Sequence, residues 1–197
     1  FMKLHIYIVF LSLSFLCAST HAQQKKSSLE VGIKLMAEAN SGSGSTMPFY
    51  GVQLIYKKGE HGGLETGLFY RTARQQFITT FYNPVTNSSN TITSTLSERF
   101  LSLPVLYHFQ SRIVNFSVGP SFDLFLGWKD KSDKNTVTIN SYTRSSTIEI
   151  GGIASVSKTI QLSDKLALEP EIRFNPIFTS GDPYAHTAFG FAVKYKL

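Results

Sequence analysis

Thr187-Ala188-Phe189-Gly190-Phe191-Ala192-Val193-Lys194-Tyr195-Lys196-Leu197 decides the fold. Phe189, Phe191, Val193, Tyr195 and Leu197 occupy every second position, and Gly190, Lys194 and Lys196 stand among the positions between them. A period of two makes a strand with one apolar and one polar face. Seven stretches upstream repeat the unit, at 29–37, 49–57, 64–74, 96–109, 113–128, 147–158 and 166–178. In the first, Val31, Ile33 and Leu35 oppose Glu30, Gly32 and Lys34; in the second, Tyr50, Val52, Leu54 and Tyr56 oppose Gly51, Gln53 and Lys57. Leu64, Leu68 and Tyr70 oppose Glu65, Gly67 and Arg71; Leu166, Leu168, Ile172 and Phe174 oppose Glu169, Glu171 and Arg173. A slip of one residue would exchange the faces, so the register is well specified.

The breaks between these units alternate in length. Residues 38–48, 75–95, 129–146 and 175–186 are long and rich in Ser, Thr, Asn and Gly, whereas 58–63, 110–112 and 159–165 are short. Eight strands joined this way predict an all-β protein, an eight-stranded antiparallel up-and-down transmembrane β-barrel, with both termini at the short-turn end.

Alternation alone does not say which face meets water. A soluble barrel such as a lipocalin would turn the apolar set inward. Three features predict the reverse. Gly32, Gly51, Gly67, Gly119, Gly127, Gly151 and Gly190 sit on the polar face, where a narrow lumen needs small residues. The same face carries both charge signs: Glu30, Glu65, Glu98, Asp123, Glu149, Glu169 and Glu171 can meet Lys34, Arg71, Arg173 and Lys194, and buried charges must pair. Aromatics of the apolar face, Tyr50, Tyr56, Tyr70, Tyr107, Trp128, Phe189 and Tyr195, recur near strand ends, the girdle positions of a membrane barrel. Leu54, Leu103 and Leu168 should therefore meet lipid at mid-membrane, and Gln53, Ser102 and Glu169 the lumen.

Composition agrees. Of 197 residues, 42% are hydrophobic and only 16% charged, and 16 Phe and 9 Tyr favour strands over helices. Lys3, the apolar run 6–16 and Thr20-His21-Ala22 read as a signal peptide over 1–22, leaving 23–197 as the barrel domain. Cys17, the one cysteine, falls in that leader, so the mature domain has neither a disulfide nor a thiol site. The formal charge of +6 is scattered rather than striped, and export removes the chain from nucleic acid.

Few residues suggest chemistry. Ser180, Asp182 and His186 can be written as a Ser-His-Asp set, but they share one loop with Gly181 and Pro183, with no rigid support for a triad. His61 lies in a short turn with Glu60, too few ligands for a metal, and His108 ends a strand near the rim as an interfacial residue. Gly42-Ser43-Gly44-Ser45 reads as flexible linker, and no phosphate-binding glycine loop occurs. No catalytic residue, cofactor or metal site is expected. The one candidate site is a lumen charge cluster of Asp123, Glu149, Glu169, Glu171 and Arg173, either an ion path or a charge-paired plug; the plug is the expectation, because eight strands leave little free lumen.

Arg99-Phe100-Leu101-Ser102-Leu103-Pro104-Val105-Leu106-Tyr107, with its central Pro, and Ser117-Val118-Gly119-Pro120-Ser121-Phe122 resemble the fourth and fifth strands of the PorT-like outer-membrane β-barrel proteins of Bacteroidetes. Ile150-Gly151-Gly152-Ile153 and Leu168-Glu169-Pro170-Glu171-Ile172-Arg173-Phe174-Asn175 resemble the sixth and seventh. The last strand ends Tyr195-Lys196-Leu197, where such barrels usually end on an aromatic residue. The resemblance implies a bacterial outer membrane, with periplasmic termini and long extracellular loops, but no single activity. The expected role is a non-enzymatic scaffold or accessory subunit, with outer-membrane lipid and a protein of an outer-membrane complex as partners. The alternatives are a narrow pore or small-ligand barrel, and a soluble lipocalin-like binder.

Overall fold

A computed structural model of the chain describes residues 27–40, 45–83, 87–132, 142–144, 146–179 and 184–197. The predicted leader 1–22 and the linker residues 42–44 lie outside them. All described elements are strands: β1 (Ser28–Asn40), β2 (Thr46–Lys58), β3 (Gly62–Asn83), β4 (Ser88–Phe109), β5 (Asn115–Asp130), β6 (Ile148–Ser157), the two-residue β7 (Ile160–Gln161), β8 (Leu166–Ile177) and β9 (Tyr184–Lys196). Each long strand pairs antiparallel with its neighbours in sequence. The sheet closes where β1 meets β9, with Ile33 opposite Val193. β6 reaches β8 directly, with Val156 opposite Ile172, and β7 takes its place farther along, with Ile160 opposite Leu168. The result is the expected ring of eight strands, an up-and-down barrel.

The barrel is inside-out relative to a soluble protein. Lys34, Arg71, Glu65, Asp123 and Arg173 are buried within it, while Ile33 (63% exposed), Val118 (58%), Ile172 (58%) and Phe189 (64%) stand on the outside with most other strand hydrophobics. An apolar belt around the whole circumference would be a severe aggregation liability in water and is the surface that hydrocarbon requires. This is a transmembrane barrel. Leu54 and Leu103 are exposed on the outer wall, and Leu168 lies on the same wall half-buried. Gln53, Ser102 and Glu169 point inward, each 1% exposed or less.

Some details differ from the sequence reading. The polar stretch 75–95, expected as a loop, is mostly strand: β3 and β4 are 22 residues long and stay paired from Gln75–Leu96 to Asn83–Ser88. Threonines supply β propensity there, Thr80 meets Thr91 at 3.3 Å, and Asn87 takes the left-handed conformation (φ 51°) in the turn, accepting a 2.7 Å bond from the Tyr82 hydroxyl. β5 starts at Asn115 rather than Ile113, because the Ser111 hydroxyl accepts from the amides of Ile113 and Val114 and donates to the Val114 carbonyl, closing a turn. A β-bulge interrupts the β4–β5 ladder: Phe100 pairs with Phe125 but Arg99 with Gly127, leaving Leu126 as the extra residue. Downstream of it the faces exchange. Gly127, expected in the lumen, joins Arg99 on the outer side. Trp128, expected in the outer girdle, pairs instead with the buried Glu98 and packs edge-on against Tyr142.

Candidate functional site: the charged interior

The alternation that places hydrocarbon outside sends one charged or polar side chain from almost every strand into the lumen. There they sort into three tiers along the barrel axis.

At the end that holds the termini, Lys194 of β9 bonds Glu169 of β8 and lies 3.5 Å from Glu30 of β1. Lys57 donates to Glu30 at 2.5 Å. Glu169 also accepts from Asn115 at 3.1 Å and from Thr159 at 2.8 Å. Above this tier's floor is an open basin of about 430 Å³ whose walls include Lys57, Lys165, Lys194 and Lys196.

In the middle tier, Lys34 of β1 bridges Glu65 of β3 at 2.9 Å and Glu171 of β8 at 2.6 Å. Arg173 joins Glu171 at 2.9 Å and approaches Glu65 at 3.6 Å. Its guanidinium lies 5.3 Å from the Phe49 ring centroid and 5.8 Å from that of Phe69, two inward aromatics stacked at 4.9 Å. His108, expected at the interface, is buried here instead, with Nδ1 2.9 Å from the Ser117 hydroxyl. It takes the inward phase of β4, alternating with the outward Tyr107 and Phe109. Ser117 donates to Glu65 at 2.7 Å, so its proton is committed to the carboxylate and His108 must be the donor to its oxygen. The trio has the composition of a hydrolase triad with the opposite hydrogen-bond sense.

In the third tier, Arg71 of β3 meets Asp123 at 3.1 Å, Glu149 at 3.7 Å and Glu38 at 3.9 Å. His186 lies in β9 rather than in a loop, buried, with Nδ1 3.1 Å from Glu38. Ser180 and Asp182 lie outside the described residues. Arg144, from the stretch between β5 and β6, reaches in to bond both Glu98 and Glu149 and lies over the Phe100 ring at 4.9 Å. Burial opposes its charge, yet the two carboxylates hold its pKa above the usual arginine value. Beside it the Tyr142 hydroxyl donates to Glu98 at 2.8 Å; burial and that bond push the phenol up to about 12.

The five residues of the expected cluster are all buried, but they are divided among the tiers: Glu169 in the first, Glu171 and Arg173 in the second, Asp123 and Glu149 in the third. Each acid is answered by a cation from another strand, an arrangement that links strands across the lumen. Glu38, His108, His186 and Arg144 were missed as interior groups. Glu38 and Arg144 fell in stretches read as loops, where no alternation marks a phase. No three His, Cys, Asp or Glu among the described residues are grouped to hold a metal ion.

No family model matches the chain, and no curated protein matches it. Among solved structures it is similar to Ail, the attachment invasion locus protein of Yersinia pestis, at 9% identity and TM-score 0.46, covering 89% of this chain and 100% of that one. It is similar to Neisserial surface protein A at 13% identity and TM-score 0.46, covering 87% and 97%. It is also similar to the outer membrane protein OprG of Pseudomonas aeruginosa, at 9% identity and TM-score 0.44, covering 88% and 98%.

Proposed function

We propose that this protein is a non-enzymatic barrel of a bacterial outer membrane that presents its long hairpin to a protein partner. The observation that carries the reading is the inequality of the strands. β3 and β4 have 22 residues each, and the other long strands 10 to 16. The excess projects at the end opposite the termini and carries exposed Phe77, Ile78, Phe81 and Tyr82. Large apolar side chains held clear of the membrane wall on a paired two-stranded arm suit a protein contact. The ion-paired interior supports the role of scaffold over that of channel. The leader read over 1–22 supports export, which would leave the termini periplasmic and the arm extracellular. The motifs around Pro104, Pro120 and Pro170 support a place among the PorT-like barrels.

The test is affinity purification from mild detergent after cross-linking in cells, with the intact chain and with a variant whose hairpin 76–93 is replaced by a tight turn. A stoichiometric partner that disappears with the hairpin is the expected result. An intact barrel that always purifies alone refutes the scaffold role, and recovery from the aqueous periplasm refutes the outer-membrane location.

A further inference from the structure

The outer wall changes character abruptly above the apolar belt on β3, β4 and β5. Three successive rows of the sheet show it. The lowest is Tyr70, Leu101 and Leu124 across the three strands. The next is Thr72, Arg99 and Gly127, and the third is Arg74, Ser97 and Lys129. Arg74, Arg99 and Lys129 are all exposed, and none of them forms an ion pair among the described residues. The nearby Asp130 has partners of its own, among them the Ser132 amide, from which it accepts at 2.8 Å.

The height of this patch follows from strand geometry. The outward apolar run of β4 is Phe109, Tyr107, Val105, Leu103 and Leu101. Eight residue steps of about 3.4 Å, on a strand tilted roughly 40°, rise about 20 Å, close to the thickness of an apolar belt. Arg99 is the next outward residue, so the three cations lie where hydrocarbon gives way to headgroups, in the leaflet opposite the termini. Adjacent strands are about 4.8 Å apart, which puts Arg74 and Lys129 about 10 Å from each other across Ser97, with Arg99 just below.

The patch is also shaped. The β-bulge at Leu126 brings Gly127 onto the outer side next to Arg99. Gly127 holds φ +138°, a conformation side chains rarely adopt, and a Cβ there would stand 3.4 Å from Arg99 Nη2. The guanidinium therefore lies across bare backbone, open toward the membrane surface.

We propose that Arg74, Arg99 and Lys129 form a binding site for the bis-phosphorylated headgroup of a glycolipid of the lipid A type in the leaflet at the hairpin end. Two arginine forks and an ammonium match phosphate oxygens in charge and hydrogen-bonding geometry. Three cations so close together suit two phosphates better than the single phosphodiester of an ordinary phospholipid. The inference rests on the barrel spanning a membrane, which cell fractionation tests separately; the lipid competition below can fail with that reading intact.

The experiment is native mass spectrometry of the full chain, folded in a neutral maltoside detergent, with equimolar bis-phosphorylated lipid A, its monophosphorylated form and phosphatidylglycerol. Bis-phosphorylated lipid A should be retained over phosphatidylglycerol by about tenfold or more, with the monophosphorylated form between them. The triple variant Arg74→Gln, Arg99→Gln, Lys129→Gln should lose that preference. Replacing Lys58, Arg112 and Lys158 by Gln at the other end should leave it unchanged. Should the triple variant fail to give a folded band on a gel, Arg99→Gln and Arg99→Lys serve instead, the first weakening retention and the second restoring most of it. Equal retention of phosphatidylglycerol, undiminished retention by the variants, or full displacement of lipid A by millimolar inorganic phosphate overturns the assignment.

Discussion

Placing a charge on the outer wall at Leu103 tests the inside–outside assignment most directly. Leu103 is 45% exposed, and its chain neighbour Ser102, at 1%, faces the lumen between Phe69 and Asp123. Three outward steps of about 6.8 Å separate Leu103 from Phe109, and two separate it from Arg99. At roughly 40° of tilt it lies about 15 Å above the first and 10 Å below the second, close to the midplane. An arginine there costs about 2–4 kcal/mol, a shift of roughly 30- to 700-fold in the folding equilibrium. Leu103→Arg should lower the urea midpoint in phosphatidylcholine vesicles accordingly and weaken the heat-modifiable folded band. Trp128, the one tryptophan, provides the fluorescence signal. Ser102→Ala, which removes one hydroxyl from the interior, should stay within about 1 kcal/mol of the parent. If Leu103→Arg unfolds at the parent's urea concentration while Ser102→Ala does not fold, the apolar face is turned inward and the membrane reading is wrong.

Three further outcomes are expected. Arg71→Met should cost about 3–5 kcal/mol by leaving Asp123 without its cation and Glu149 with Arg144 alone, and adding Asp123→Asn should recover part of that; additive losses in urea unfolding would show that the tier is not coupled. Gly51→Ala should fail to assemble, since a Cβ would strike the Leu68 carbonyl oxygen and stand 2.6 Å from Phe69 Cα, whereas Gly152→Ala, with nothing nearer than the Phe178 ring at 3.4 Å, should give a normal folded band. The Tyr142 phenol, pushed up to about 12, should be absent from the pH 10 step of an ultraviolet titration and appear near pH 12 in the difference between parent and Tyr142→Phe. Because its folded pKa lies above the unfolded value, the stability it contributes is complete below pH 10 and is lost as pH rises through about 12; a tyrosine titrating at pH 10 in that difference spectrum contradicts the placement.

Strand number, closure and the assignment of faces were legible because a membrane barrel writes them into a period of two. Wherever Ile33 or Phe189 faces lipid, Lys34 or Gly190 must face the lumen, and no helical pattern competes. Three things escaped that reading. The upper hairpin mixes apolar and polar residues on both faces and buries neither, so its strands are held by pairing and threonine propensity rather than by a buried face. The bulge at Leu126 adds one residue, which reverses the phase of Gly127 and Trp128 without any mark in composition. Phe49, Phe69 and Phe100 are apolar yet face inward, where Arg173, Lys34 and Arg71 lie over their rings at 5.0 to 5.9 Å. An aromatic face serves a desolvated cation as well as it serves lipid, so hydrophobicity alone could not place them. The charge cluster was legible as a set of residues but not as tiers, because pairing depends on register between strands remote in sequence, as between Lys34 and Glu171.

The projecting hairpin has a consequence for how the molecule behaves among copies of itself. A closed cylinder has no edges, but this one reopens an edge above its rim. β2 follows β3 only as far as the Phe49–Arg71 pair, and from Thr72 to Tyr82 β3 is bonded on one side alone among the described residues. About half of the amides and carbonyls along that stretch point sideways, in a β conformation that another strand could extend. Closure protects the barrel from strand exchange within the bilayer. Where the hairpin emerges into water that protection ends, and Thr72–Tyr82 is where backbone pairing between neighbouring chains would begin.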